Sequence, residues 1–139
     1  MGQGYQVKHY TFENAAVCLA GVDAAREFLE PILVERDREL LVVALCDKDV
    51  RLLQLLTFPG SDTHVRVCVS DVMRRAVEIE CSGIILAHNH PSGDQSPSSD
   101  DLRLTRQIGI AGEALDVTIL DHMIFNCRPV FSFRSAGLL

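Results

Sequence analysis

Two histidines one residue apart, His88-Asn89-His90-Pro91, are followed after a Ser/Gly/Pro-rich stretch by Ser98-Ser99-Asp100-Asp101. Residues at i and i+2 on an extended segment point to the same side, so these imidazoles can share one ion where adjacent histidines could not. One carboxylate would complete a three-ligand set. Zinc held by two His and one Asp or Glu keeps its fourth tetrahedral position for water, which separates catalytic zinc from closed structural zinc. The residue types and spacing therefore point to a mononuclear zinc hydrolase site with one Zn²⁺ per chain.

His-x-His alone recurs by chance, and its context is what raises it. Gly83 to His88 reads as a buried strand that delivers the histidines at its C-terminal end, where α/β sheets place function. Pro91-Ser92-Gly93 then forces a loop, and a helix over about Ser98 to Leu115 follows. Ser98-x-x-Asp101 resembles a capping box, which needs no metal. Yet Asp101, Leu104, Ile108, Ala111 and Leu115 share the core-facing stripe, whereas Asp100 lines up with Arg103 and Gln107. An inward carboxylate requires a partner to offset its desolvation, and a cation held by two histidines provides one. Asp101 is thus favoured as the third ligand and Asp100 as solvated.

A zinc hydrolase also needs a general base, because metal coordination lowers the pKa of water only to about 7 and the proton must still be moved. Among Glu13, Glu27, Glu30, Glu35, Glu39, Glu78, Glu80 and Glu113, Glu39 ranks first. It heads the apolar run Leu40 to Cys46 and shares a side with Leu41, Val43 and Leu45. A solvated strand end beside Arg36 and Arg38 is the competing reading. Ser98 can donate its hydroxyl to a forming oxyanion, with an N-cap as the alternative. His122 reads as a hydrogen-bonded core histidine rather than a fourth ligand, and His9 and His64 have no supporting context.

The other elements follow from periodicity. Residues 1–21 form an N-terminal extension without clear pattern, and 22–139 form one domain. Val22, Ala25, Phe28, Leu29, Ile32 and Leu33 recur at helical spacing, with Pro31 ending or bending that helix. Leu40 to Cys46 and Val50 to Phe58 read as paired strands around the turn Asp47-Lys48-Asp49. Val65, Val67 and Val69 alternate, and Ser70 stands as N-cap of a helix through Glu80. Val117 to Phe125 is strand-like, then a turn at Asn126 to Pro129 leads to Val130 to Phe133. The fold class is α/β with a mixed sheet.

With 139 residues, 47% hydrophobic and 23% charged, the chain has the balance of one globular domain. Its longest apolar run, Leu40 to Cys46, is far short of a bilayer span, and Met1-Gly2-Gln3-Gly4 lacks a signal pattern. The expectation is a soluble, cytoplasmic protein. Five cysteines without C-x-x-C imply neither a disulfide framework nor a cysteine zinc site. A net charge of −6 with scattered arginines disfavours nucleic acid as a partner.

Taken together, Glu39, His88-x-His90-Pro91 and Ser98-x-x-Asp101 resemble the signature of the JAB/MPN (JAMM) zinc metalloproteases, and more closely the RadC-like branch. The resemblance runs from about Val22 to Leu139. It includes Ala87-His88-Asn89-His90-Pro91-Ser92-Gly93-Asp94, Leu120-Asp121-His122 and the closing Phe131-Ser132-Phe133-Arg134-Ser135-Ala136-Gly137-Leu138-Leu139. It implies a three-layer, cytidine-deaminase-like α/β/α fold, zinc on His88, His90 and Asp101, Glu39 as acid/base on the attacking water, and Ser98 assisting the tetrahedral intermediate. Longer RadC-like proteins carry an N-terminal helix-hairpin-helix segment, for which about twenty residues leave no room. Asn89 stands where the deubiquitinating branch has Ser or Thr, so ubiquitin is not the expected substrate.

The function expected is therefore hydrolysis of an amide bond in a peptide or protein, by a metallopeptidase or isopeptidase. A nucleobase deaminase would require Glu at position 90 and a P-C-x-x-C motif, both absent. The competing class is a non-catalytic scaffold or DNA-repair-associated domain that retains the metal site.

Overall fold

The computed structural model describes residues 8–11, 17–34, 36–60, 67–126 and 129–139. Their elements run β1 (Lys8–Thr11), α1 (Val22–Leu33), β2 (Leu40–Cys46), β3 (Leu52–Pro59), α2 (Val69–Glu78), β4 (Gly83–Asn89), α3 (Ser99–Ala114), β5 (Thr118–Phe125) and β6 (Phe131–Ser132). The strands form one mixed sheet in the order β1-β3-β2-β4-β5-β6. Only β4 and β5 pair in parallel, joined by the crossover through α3.

Strands β2 and β4 are central and buried along their whole length. This is why they read as unbroken apolar runs rather than alternations. Val42, Ala44, Cys46, Ile85 and Ala87 pack with Ala25, Leu29 and Leu33 of α1. Leu41, Val43, Leu45, Ile84 and Leu86 pack with Val72, Met73 and Ala76 of α2 and Ile108 of α3. Helices thus cover both faces, giving the three-layer α/β/α arrangement. By the same alternation His88 and His90 lie on the α2/α3 face and Asn89 on the α1 face.

Some sequence expectations need correction. Part of the supposedly unpatterned N-terminal segment is strand: β1 pairs antiparallel with Gln54 to Thr57 of β3, and Leu19 is buried in the core. A four-residue edge strand takes its conformation from its neighbour and is too short to show a period. Ser70 is not the N-cap of α2, whose N-cap is Cys68, two residues earlier; the Ser70 hydroxyl meets the Cys68 thiol instead. Val65 lies outside the described residues, as do His64, Glu13, Glu35 and Cys127. Pro31 does not end α1, which continues to Leu33. Leu115 caps α3 from an exposed position. The four described cysteines carry free thiols, and burial pushes that of Cys46 up to about 12, as befits a small apolar filler. No helix among the described residues is long and apolar enough to cross a membrane.

One irregularity bears on the site. Ile84 pairs with Ile119, but Ile85 pairs with Asp121, so Leu120 is bulged out of the β4–β5 ladder. An extra residue in one strand reverses the facing of every residue after it. His122 consequently pairs with Leu86, on the α2/α3 face, where strict alternation from Ile119 would have turned it toward α1.

At the end of α3, Gly112 meets the residue before β5 so closely that a Cβ on it would stand 2.2 Å from the Val117 carbonyl oxygen. The neighbour is backbone and cannot swing aside. Gly112→Ala is therefore expected to destabilise the fold by about 2 kcal/mol or more, read as a lowered urea midpoint at unchanged slope.

Candidate metal centre

Strand β4 carries His88 and His90 out at its C-terminal end, and both are buried. Pro91 and the following loop return the chain to α3, whose first turn presents Asp101. Ser98 is the N-cap: its Oγ accepts from the Asp101 amide at 3.0 Å, and Asp101 Oδ2 accepts from the Ser98 amide at 2.8 Å. This reciprocal box fixes the carboxylate's rotamer. The same Oδ2 lies 3.3 Å from Nε2 of His88 and 3.3 Å from Nε2 of His90. The capping and inward-facing readings of Asp101 therefore describe one oxygen, not two alternatives. Asp100 pairs with Arg103 on the surface.

Three donor atoms thus converge, those of His88, His90 and Asp101. Ligands about 2.0–2.1 Å from a tetrahedral ion stand about 3.3 Å apart. Both edges to Asp101 meet that spacing, and the edge between the two Nε2 atoms is tighter at 2.8 Å. His90 Nδ1 lies 2.8 Å from the Asp94 carbonyl oxygen, which can only accept. The Nδ1 proton is therefore committed, and neutral His90 offers Nε2 as a lone pair. The donor set fits a divalent ion that accepts two imidazoles and one carboxylate.

The electrostatics agree with a cation-seeking site. The hydrogen bond to Asp101 raises the pKa of His90 against the opposing effect of burial, with the Asp94 carbonyl and the charges of Asp101 and Glu39 adding to it. Burial pushes the Asp101 carboxyl up, but the His88 and His90 imidazoles beside it and the Ser98 amide outweigh it and hold the group well below the usual carboxylate range.

The match that decides kinship spans nearly the whole chain: the RadC-like JAB domain family matches residues 19–138. The chain belongs to the RadC-like JAB domain family. Its three-layer fold and its His-His-Asp cluster are those expected of a JAB domain with a capacity for metal.

In this JAB domain Glu39 is half-buried at the entry of β2, on the same face as Leu41 by alternation. Leu41 is the register partner of His88, so continuing the register two residues further out sets Glu39 across from His90. Its charge is felt by His90, and it is not part of the donor cluster. Beside it a cavity of about 690 Å³ opens between Phe28, Ile32, Leu40 and Leu55, with Arg36 and Arg38 at the rim. None of the three donors lines that cavity, whose apolar walls belong to the α1 face of the sheet, opposite the face that carries His88 and His90.

Two residues here, Asn89 and Thr105, escaped the sequence reading, as did the partners of a third, His122. Asn89, between the histidines, is wholly buried. Its Oδ1 accepts from the Leu40 amide at 2.7 Å and its Nδ2 donates to the Arg38 carbonyl at 3.0 Å, gripping the backbone on both sides of Glu39. Thr105, one turn beyond Asp101, donates to the Asp101 carbonyl at 2.7 Å. His122 is the buried, hydrogen-bonded histidine expected, but its contacts are with Thr105 and His88. The i to i+4 spacing of Asp101 and Thr105 was a usable signal; the bulge hid that of His122.

Proposed function

We propose that this JAB domain is a zinc-dependent hydrolase of amide bonds, a metallopeptidase or isopeptidase, with His88, His90 and Asp101 as ligands. The observation that carries this reading is the convergence of three donors, with Asp101 at tetrahedral spacing from both imidazoles, near a carboxylate, Glu39, that is not one of them. Bound there, zinc supplies Lewis-acid polarisation of the scissile carbonyl and a lowered pKa for the attacking water. Glu39 takes the proton from that water and returns it to the leaving amine. Ser98 Oγ accepts the Asp101 amide and keeps its own hydroxyl proton, which it offers to the oxyanion formed on the attacked carbonyl.

The test is amide-bond cleavage of a peptide library by the zinc-loaded chain. Cleavage is expected, lost on chelation and regained with Zn²⁺. A fully zinc-loaded chain that cleaves nothing, yet binds duplex DNA in a low-salt fluorescence titration, would transfer the assignment to an accessory domain.

A further inference from the structure

Hydrogen-bond directions around His88 follow from the fixed end of a buried chain. The Asp101 carbonyl oxygen can only accept, so the Thr105 hydroxyl gives it its single proton. Thr105 Oγ1 must then accept from His122 Nδ1, 2.6 Å away. The His122 ring is wholly buried against Thr105, His88 and the stacked Phe133, surroundings that disfavour a charged imidazole. Neutral His122 with its proton on Nδ1 turns a lone pair on Nε2 toward His88 Nδ1, 2.7 Å away. His88 Nδ1 donates to it. The remaining nitrogen of His88, Nε2, is left as a lone pair facing His90 Nε2 and Asp101 Oδ2.

A second observation points the same way. His122 reaches this position because Leu120 is bulged out of the ladder, which turns His122 onto the face of Leu86 and His88 where unbroken alternation would have turned it away. We propose that His122 and Thr105 are positioning residues that hold His88 in the tautomer and orientation able to ligate a metal. Through the Asp101 carbonyl they also tie the two ligand-bearing elements, β4 and α3, into one hydrogen-bonded unit. This proposal rests on the metal-site reading above, and extends it to residues outside the donor set.

Nitrogen NMR on the metal-free wild-type chain reads the tautomer directly. Two-bond ¹H–¹⁵N correlations are expected to show His88 and His122 both protonated on Nδ1 and bare on Nε2. A proton on His88 Nε2 in the neutral ring overturns the proposal, with no need of a variant. Zn²⁺ affinity, measured in competition with a chromophoric chelator, then tests the consequence. His122→Leu leaves the His88 Nδ1 proton buried without an acceptor and is expected to weaken Zn²⁺ binding by about 10- to 100-fold. His122→Gln, whose side-chain oxygen can accept from His88, is expected to recover most of that loss. Thr105→Val should weaken binding and Thr105→Ser restore it. A folded His122→Leu chain with wild-type Zn²⁺ affinity overturns the proposal. If that variant does not fold, the Thr105 pair and the nitrogen pattern decide. A wild-type chain that binds no Zn²⁺ would overturn the metal reading itself, a result distinct from any difference among variants.

Discussion

Asp101→Asn is expected to cost the chain about 10²- to 10³-fold in Zn²⁺ affinity while leaving α3 intact. Structural zinc contributes roughly 10–16 kcal/mol in small peptides, so the loss of one charged ligand among three is worth about 3–4 kcal/mol. The asparagine oxygen can still accept from the Ser98 amide, so the capping box that now runs through Oδ2 at 2.8 Å survives in outline. The measurement is a chelator-competition titration, backed by the zinc-induced rise in melting temperature, since a ligand that binds only the native state stabilises by mass action. Wild-type affinity in a folded Asp101→Asn chain would remove the carboxylate from the ligand set and reduce Asp101 to a helix cap.

The second large effect concerns Glu39. Glu39→Gln keeps the shape of the side chain and removes its ability to take a proton. Turnover of a cleavable peptide is expected to fall by about 10²- to 10⁴-fold, with Zn²⁺ affinity unchanged, because Glu39 stands apart from the donor cluster. A loss confined to kcat marks a group used in the transition state rather than in binding. Equal rates for the two proteins would exclude Glu39 as the proton acceptor.

How far the site can be read from the chain depends on how local each signal is. Strands β2 and β4 are unbroken apolar runs, and the Ser98-x-x-Asp101 box announces the start of α3 within four residues. The two-residue period of β4 and the three-four stripe of α3 are enough to aim His88, His90 and Asp101 at one another. What escaped depends on pairing across the sheet. Asn89 looks like a spacer until β2 is laid beside β4 and its amide is seen to bond Arg38 and Leu40. The facing of His122 turns on a bulge that exists only in the β4–β5 ladder. β1 is a strand because β3 offers it an edge.

The grip of Asn89 on Arg38 and Leu40 separates two properties that a metalloenzyme usually loses together. The proposed ion would rest on residues 88, 90 and 101, whereas the placing of Glu39, the proposed proton carrier, depends on a single carboxamide that grips the start of the neighbouring strand. Drift at position 89 would leave the imidazoles standing and set Glu39 loose. On the proposed reading, descendants of such a chain would keep the donor cluster and the fold while falling silent as catalysts, so a hydrolase and an inert scaffold would stand one side chain apart.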